Sequence, residues 1–159
     1  MDEIYKEYSK SVYVYLLSLT KNENIAEDLL QETFYSAVKN INKFRKESSM
    51  KTWLYSIARN KWIDYCKKNR KLKEVDELNE KDIISNRILE EEIINKNNLI
   101  DILKKLHNMN EKSKEIFYLR IFTNFSFKEI ADIVGKTEEN TRTIFFRVKN
   151  KLKEEFRNE

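Results

Sequence analysis

Almost nothing in this chain can stop a helix. Across 159 residues there is no proline and one glycine, Gly135. The two residue types that most often end or kink helices are all but missing, so the chain is predicted to be all-α. Gly135 is therefore a position to explain. It separates two runs of helical periodicity, 127–134 and 138–153, at a turn where the backbone needs φ > 0. Two helices hinged at such a turn have the outline of a helix-turn-helix.

Periodicity divides the rest into two small helical domains. Ile4, Tyr8, Val12, Tyr15, Leu16 and Leu19 recur at helical spacing. A second stripe runs through Ile25, Leu29, Leu30, Thr33, Phe34, Ala37, Val38, Ile41 and Phe44, with Asn24 and Glu27 in the pattern of a capping box at its start. A third helix is expected over about 51–68, with Leu54, Ile57, Ala58 and Tyr65 inward. Three helices sharing one core make the first domain, 1–68. Residues 69–98 carry six basic and eight acidic residues and few apolar ones, the texture of a flexible linker with some helix near its end. The second domain, 99–159, offers as core Leu99, Ile102, Leu103 and Leu106, then Ile116, Phe117 and Leu119, then Ile130, Ala131, Ile133 and Val134, then Thr141, Ile144, Phe145, Val148 and Leu152.

Composition excludes several function classes. One cysteine, Cys66, and one histidine, His107, cannot build a disulfide framework or a Cys/His metal cluster, and no cofactor or metal is expected. His107 sits in an amphipathic stretch with no acid or nucleophile at helical spacing, so an enzyme is not expected either, and Cys66 reads as a half-buried small hydrophobe. No apolar run approaches the roughly 20 residues of a membrane span, and the start Met1-Asp2-Glu3 is no export signal. A cytoplasmic protein without membrane insertion is expected. Charge is divided unevenly: residues 1–35 hold three Lys/Arg against seven Asp/Glu, a net −4, and residues 36–68 hold nine against two, a net +7. One surface suits a basic partner and the other an acidic one such as nucleic acid.

Three constellations carry chemistry. On the second helix Asp28, Gln31, Glu32 and Tyr35 lie at i, i+3, i+4 and i+7, a polar, acidic ridge opposite the buried stripe. The third helix and the polar, basic loop before it (Arg45-Lys46-Glu47-Ser48-Ser49) interleave aromatic and basic residues. Trp53, Tyr55, Arg59, Asn60, Lys61, Trp62, Asp64, Lys67 and Lys68 cannot all be buried at helical spacing, and rings for stacking on unpaired bases beside cations for phosphates suit single-stranded DNA. In the hinged pair, Ser126 and Glu129 form a capping box, Gly135 closes the first helix and Thr137 can cap the second. The outward face of that second helix then shows Glu139, Asn140, Arg142, Thr143, Phe146 and Lys149, which suit base edges in a major groove, while Lys128, Arg147, Lys149, Lys151 and Lys153 suit phosphates.

The runs Ala26-Glu27-Asp28-Leu29-Leu30-Gln31-Glu32-Thr33-Phe34 and Trp53-Leu54-Tyr55-Ser56-Ile57-Ala58-Arg59-Asn60-Lys61-Trp62-Ile63-Asp64-Tyr65, with the distant hinged pair ending Arg147-Val148-Lys149-Asn150-Lys151-Leu152, resemble an extracytoplasmic-function (ECF) sigma factor of the sigma-70 family. The resemblance implies a region-2 helical bundle and a region-4 helix-turn-helix joined by the linker. It implies that Asp28, Gln31, Glu32 and Tyr35 bind the β′ clamp helices of the RNA polymerase core, with the β flap as a further contact. Phe44, Arg45, Lys46, Ser48, Lys51, Trp53, Tyr55, Arg59, Asn60, Asp64, Lys67 and Lys68 would act on the minus-ten element, the 44–50 loop forming a pocket for a flipped-out base. Lys128, Thr137, Glu139, Asn140, Arg142, Thr143, Phe146, Arg147 and Lys149 would act on the minus-thirty-five element. An anti-sigma factor would be a further partner. Where such factors often read Thr-Val-Lys-Ser-Arg, this chain reads Asn140-Thr141-Arg142-Thr143-Ile144, so promoter preference does not carry over. Two other readings fit the same residues: a dimeric helix-turn-helix repressor and a helical protein-binding adaptor without a DNA-reading role.

Overall fold

A computed structural model describes residues 1–69 and 108–157, in two compact units, Met1–Ile93 and Ile94–Glu159. The expected start of the second domain, its core positions Leu99–Leu106, His107 and all of the expected linker except Asn69 lie outside the described residues. The described residues form α-helices and one short 3-10 turn, with no strand among them. No helix among them is long and apolar enough to cross a membrane, and no group of three or more His, Cys, Asp or Glu could hold a metal ion.

The first unit has α1 (Asp2–Thr20), α2 (Glu23–Asn40), a 3-10 turn (Ile41–Lys43) and α3 (Met50–Lys68). Asp2 and Glu3 stand in the first turn of α1, favourable against the helix dipole. Val12 to Leu17 are all buried. Six consecutive buried residues exceed one turn of 3.6, so this part of α1 is covered on every side, beyond the single stripe its periodicity suggested. Leu29, Thr33, Phe34 and Ala37 of α2 and Leu54, Tyr55 and Ala58 of α3 complete the core. The rings of Tyr15 and Tyr55 lie 4.9 Å apart at 30°, and Tyr5 meets Phe34 edge-on at the same centroid distance.

Two expectations for α2 are corrected. Its cap is Asn22, whose Oδ1 accepts the Ile25 N–H at 3.1 Å, and Asn24 lies inside the helix. Lys21 ends α1 in the left-handed region at φ 54°, which leaves Asn22 extended at φ −146°, the geometry of an N-cap. The stripe also stops early. The chain tightens into the 3-10 turn after Asn40, Val38 is 51% exposed, and Ile41 and Phe44 are half-buried from outside the helix.

The second unit has α4 (Glu111–Thr123), α5 (Phe127–Val134) and α6 (Glu138–Arg157). Asn110 caps α4 through the Ser113 N–H at 2.8 Å. Ser126 and Glu129 form the expected capping box, the Glu129 N–H donating to Ser126 Oγ at 3.1 Å and the Ser126 N–H to Glu129 Oε2 at 2.8 Å. Gly135 closes α5 at φ 70°, ψ 36°. The N–H groups of Gly135 and Lys136 both reach the Ala131 carbonyl, at 2.9 and 3.1 Å, so the last turn is tied off in the manner of a Schellman motif. Thr137 then caps α6 by accepting the Asn140 N–H at 3.1 Å. The core holds every expected position from Ile116 onward except Ile144, which is half-buried, and adds Tyr118 and Phe125. Phe117 stacks on Phe145 at 5.6 Å and 18°. Left-handed backbone is not confined to glycine, for Lys21, Lys46 and Asn124 also have positive φ.

Candidate nucleic-acid interface

The polar ridge of α2 stands clear of the core. Asp28, Gln31, Glu32 and Tyr35 are all exposed, Tyr35 at 71%, because Ala26, Leu29, Thr33 and Ala37 turn the opposite side inward. Val38, three residues beyond Tyr35, is exposed as well, so the acidic ridge ends in an apolar step. Sequence reasoning placed Val38 in the core. The signal against that was its direction, since i+3 from Tyr35 is the outward face.

The loop before α3 is anchored at both ends. The Phe44 N–H donates to the Ile41 carbonyl at 3.2 Å, and Ser49 Oγ accepts the Thr52 N–H at 3.1 Å. Between these anchors Arg45, Lys46 and Glu47 are exposed, and Lys46 takes a left-handed conformation at φ 58°. The Phe44 and Trp53 rings pair at 5.0 Å, both half-buried, so the floor of the loop is aromatic and its rim basic. Along α3, Asn60, Asp64, Lys67 and Lys68 are exposed, while Ser48, Lys51 and Arg59 are half-buried. Trp62 stacks on Tyr65 at 5.8 Å and 15°, half-buried one turn apart.

Tyr55 does not belong to this surface. It is fully buried against Tyr15 and cannot stack on a base. Trp53 and Tyr55 are two residues apart, about 200° around a helix, so they face opposite ways and only one can look outward. Cys66 is half-buried, and burial pushes its thiol pKa up, which lowers the share of reactive thiolate.

In the second unit Lys128, Thr137, Glu139, Asn140, Arg142, Thr143, Phe146, Arg147 and Lys149 are all exposed. Those on α6 occupy its outward half, opposite buried Thr141, Phe145, Val148 and Leu152. Arg142 donates to Glu138 Oε1 at 3.1 Å, both side chains about half exposed, and its guanidinium lies 5.1 Å from the centre of the Phe127 ring. Lys149 Nζ is 5.7 Å from the Phe146 ring. The Thr143 hydroxyl donates back to the Glu139 carbonyl at 2.9 Å. Phe127 and Arg120 were not among the sequence candidates. Arg120 packs on Phe127 at 4.3 Å and donates to the Phe125 carbonyl at 2.8 Å. The available signal was the aromatic residue directly after a strong N-cap, at the start of α5.

Two family models match along the chain, "Sigma-70 region 2" over residues 4–72 and "Sigma-70, region 4" over residues 106–154. The ECF RNA polymerase sigma factor SigM of Bacillus subtilis is 32% identical over 155 residues, covering 96% of this chain and 93% of its own length. SigX of the same organism is 27% identical over 145 residues, covering 88% and 75%. The solved structure of the sigma factor RpoE of Bartonella quintana, in complex with the anti-sigma factor NepR, shares the fold at a TM-score of 0.70, with 22% identity over 97% of this chain and 96% of that one. CnrH, in complex with the cytosolic domain of CnrY, gives 0.68 at 17% identity, covering 99% and 88%. Neither a dimeric repressor nor an adaptor accounts for both regions, in this order, on one chain. The chain belongs to the extracytoplasmic-function group of the sigma-70 family, whose members recognise promoters with RNA polymerase at transcription initiation.

Proposed function

We propose that the two units divide promoter recognition between them and that each exposed surface described above has one partner. Asp28, Gln31, Glu32 and Tyr35 dock on the β′ clamp helices, charge against charge at a rim the core does not need. Phe44, Arg45, Lys46, Ser48, Lys51, Trp53, Arg59, Asn60, Asp64, Lys67 and Lys68 follow the opened minus-ten strand, the 44–50 loop receiving an extruded base. Extrusion costs a few kcal/mol per base, and a sigma factor lowers the barrier to opening by supplying contacts that only the unstacked strand can make. The outward half of α6, with Lys128 and Thr137, reads the minus-thirty-five duplex, and the second unit also meets the β flap. Residues 69–98 tether the units, so that two modest affinities combine through effective concentration. The chain itself catalyses nothing and works in the cytoplasm. An anti-sigma factor, of the kind seen with its solved relatives, holds it inactive.

The observation that carries this reading is the α6 surface: all nine expected minus-thirty-five residues are exposed on a helix pair whose hinge is capped on both sides. In vitro transcription with core polymerase on a fragmented genome library tests it. A defined set of promoters should be initiated. Asn60→Ala should impair initiation from fully paired promoters and weaken binding to a minus-ten single strand, leaving minus-thirty-five duplex binding intact. If single-strand affinity and open-complex yield both stay at the unsubstituted level, Asn60 is structural and the minus-ten contacts fall to the 44–50 loop.

A further inference from the structure

One aromatic side chain joins the interior of the second unit to its outward face. Phe127 opens α5 directly after the Ser126 cap and is half-buried. Its ring lies 5.4 Å from that of buried Phe145 and 6.0 Å from that of Phe146, which is 42% exposed. Two guanidinium groups rest on the same ring, Arg120 at 4.3 Å and Arg142 at 5.1 Å. Arg120 is itself pinned to the Phe125 carbonyl at 2.8 Å, so the platform is held from α4 and, through Phe145 of α6, from the core.

Arg142 is more exposed than Arg120, with more than half of its side chain open to solvent. A long, exposed arginine loses rotamer entropy when it engages a base, and a side chain already held near its bound geometry loses less. Two contacts restrict Arg142 in the free protein: the Glu138 carboxylate one turn back and the face of the Phe127 ring. They differ in what they leave available. The carboxylate occupies N–H donors that a guanine would need, whereas a ring face attracts the cation through its quadrupole and leaves the in-plane N–H fork open.

We infer that Phe127 is a positioning residue of the minus-thirty-five reading surface: it cradles Arg142 through its ring face and so sets how sharply Arg142 discriminates at the base pair it contacts. The inference rests on Arg142 reading a base. Glu138 is the competing partner, which Arg142 leaves on binding DNA, while the ring contact persists in both states. Phe127 touches no base, and its effect reaches DNA only through Arg142.

The test uses holoenzyme and duplex promoter fragments in which each minus-thirty-five base pair is replaced in turn, with affinities measured by competition. Arg142→Ala identifies the base pair at which preference is flattened. At that base pair alone, Phe127→Leu, which keeps apolar bulk and removes the ring face, should reduce discrimination by about threefold, the scale of one exposed cation–π contact. Phe127→Tyr should restore it, and Phe127→Leu should cause no further loss there when Arg142 is already Ala. A uniform loss across all fragments, or additive losses in the double variant, would overturn the positioning role. If Arg142→Ala leaves every preference intact, the base-reading role of Arg142 falls and this inference with it. If Arg142→Ala flattens one position and Phe127→Leu leaves that position unchanged, only the role of Phe127 falls. Should Phe127→Leu fail to fold, nuclear Overhauser contacts between the Phe127 ring and the Arg142 side chain in the unsubstituted protein decide: their presence supports the cradle and their absence overturns it.

Discussion

Gly135 carries a torsion, not a packing constraint. At φ 70° its backbone is in the left-handed region, yet a Cβ built there meets nothing within 4 Å. A Cβ therefore fits in space, and the strain of a substitution lies in the backbone, at about 1–2 kcal/mol for a residue without a special tolerance. Gly135→Val should lower the stability of the second unit by at least about 1 kcal/mol in chemical denaturation and weaken minus-thirty-five binding with it, whereas Gly135→Asn should cost less because Asn tolerates this region. Equal losses for the two would remove the torsional account. Cys66 makes a second residue-scale case. With burial raising its pKa above that of an ordinary thiol, less thiolate is present at neutral pH, so alkylation of the native protein should be slower than that of the unfolded chain and accelerate only on the alkaline side. The linkage has a fixed sign: the contribution to stability is complete below the unfolded thiol's pKa and is lost as pH rises through the folded one. Native alkylation as fast as in denaturant at neutral pH would contradict it.

Among the elements, α2 divides its faces most cleanly, since its inward residues are buried in the bundle and its ridge is exposed. Asp28→Lys together with Glu32→Lys should abolish binding to core polymerase while helix content and thermal midpoint stay nearly unchanged, because exposed charges contribute little to folding. Unaltered core binding, measured by co-elution, would remove the assignment of the ridge. Both ends of α5 and the start of α6 were legible in the sequence because caps are short-range chemistry: Ser126 with Glu129, Gly135 and Thr137 each act within four residues, whereas α6 runs on to Arg157, past the expected end at residue 153. The start of α2 was misread for a related reason. Asn22 and Asn24 are equally good caps as residues, and the choice fell to Lys21, a non-glycine residue in a left-handed conformation that no local pattern announces. Buried threonines were only partly legible. Thr33 and Thr141 lie inside helical stripes, and each donates its hydroxyl to the carbonyl four residues back, which satisfies it without water. Thr52 was missed because its partner is the cap Ser49. Tyr55 could not be told from Trp53 by composition. Which of two nearby aromatics faces inward depends on the phase of α3 against α1, and the Tyr15 contact that fixes it spans 40 residues of sequence.

At the scale of the molecule, charge does what no single contact does. The net −4 of residues 1–35 and the net +7 of residues 36–68, from three basic against seven acidic and nine against two, put the acidic excess on α1 and the first part of α2 and the basic excess on the residues that follow, through α3. On the proposed division of sites, polymerase would meet the acidic stretch and DNA the basic one. The logarithm of the holoenzyme's promoter binding constant should fall linearly with the logarithm of salt concentration, and Lys149→Ala should weaken matched and scrambled minus-thirty-five sites alike while reducing the slope by about one. A loss confined to matched sites would make Lys149 a base reader instead. The open space around Gly135 also bears on how the gene can vary. Ala26, Ala37 and Ala58 are fully buried, and added volume in a packed core must displace neighbours, so a saturation library selected for promoter-driven growth should rank their replacements by size. At Gly135 the same library should ignore size and rank replacements by handedness of the backbone, Asn and Asp ahead of Ala, and Ala ahead of Val and Ile. Two kinds of smallness, indistinguishable as letters, would then separate as two orders of survival.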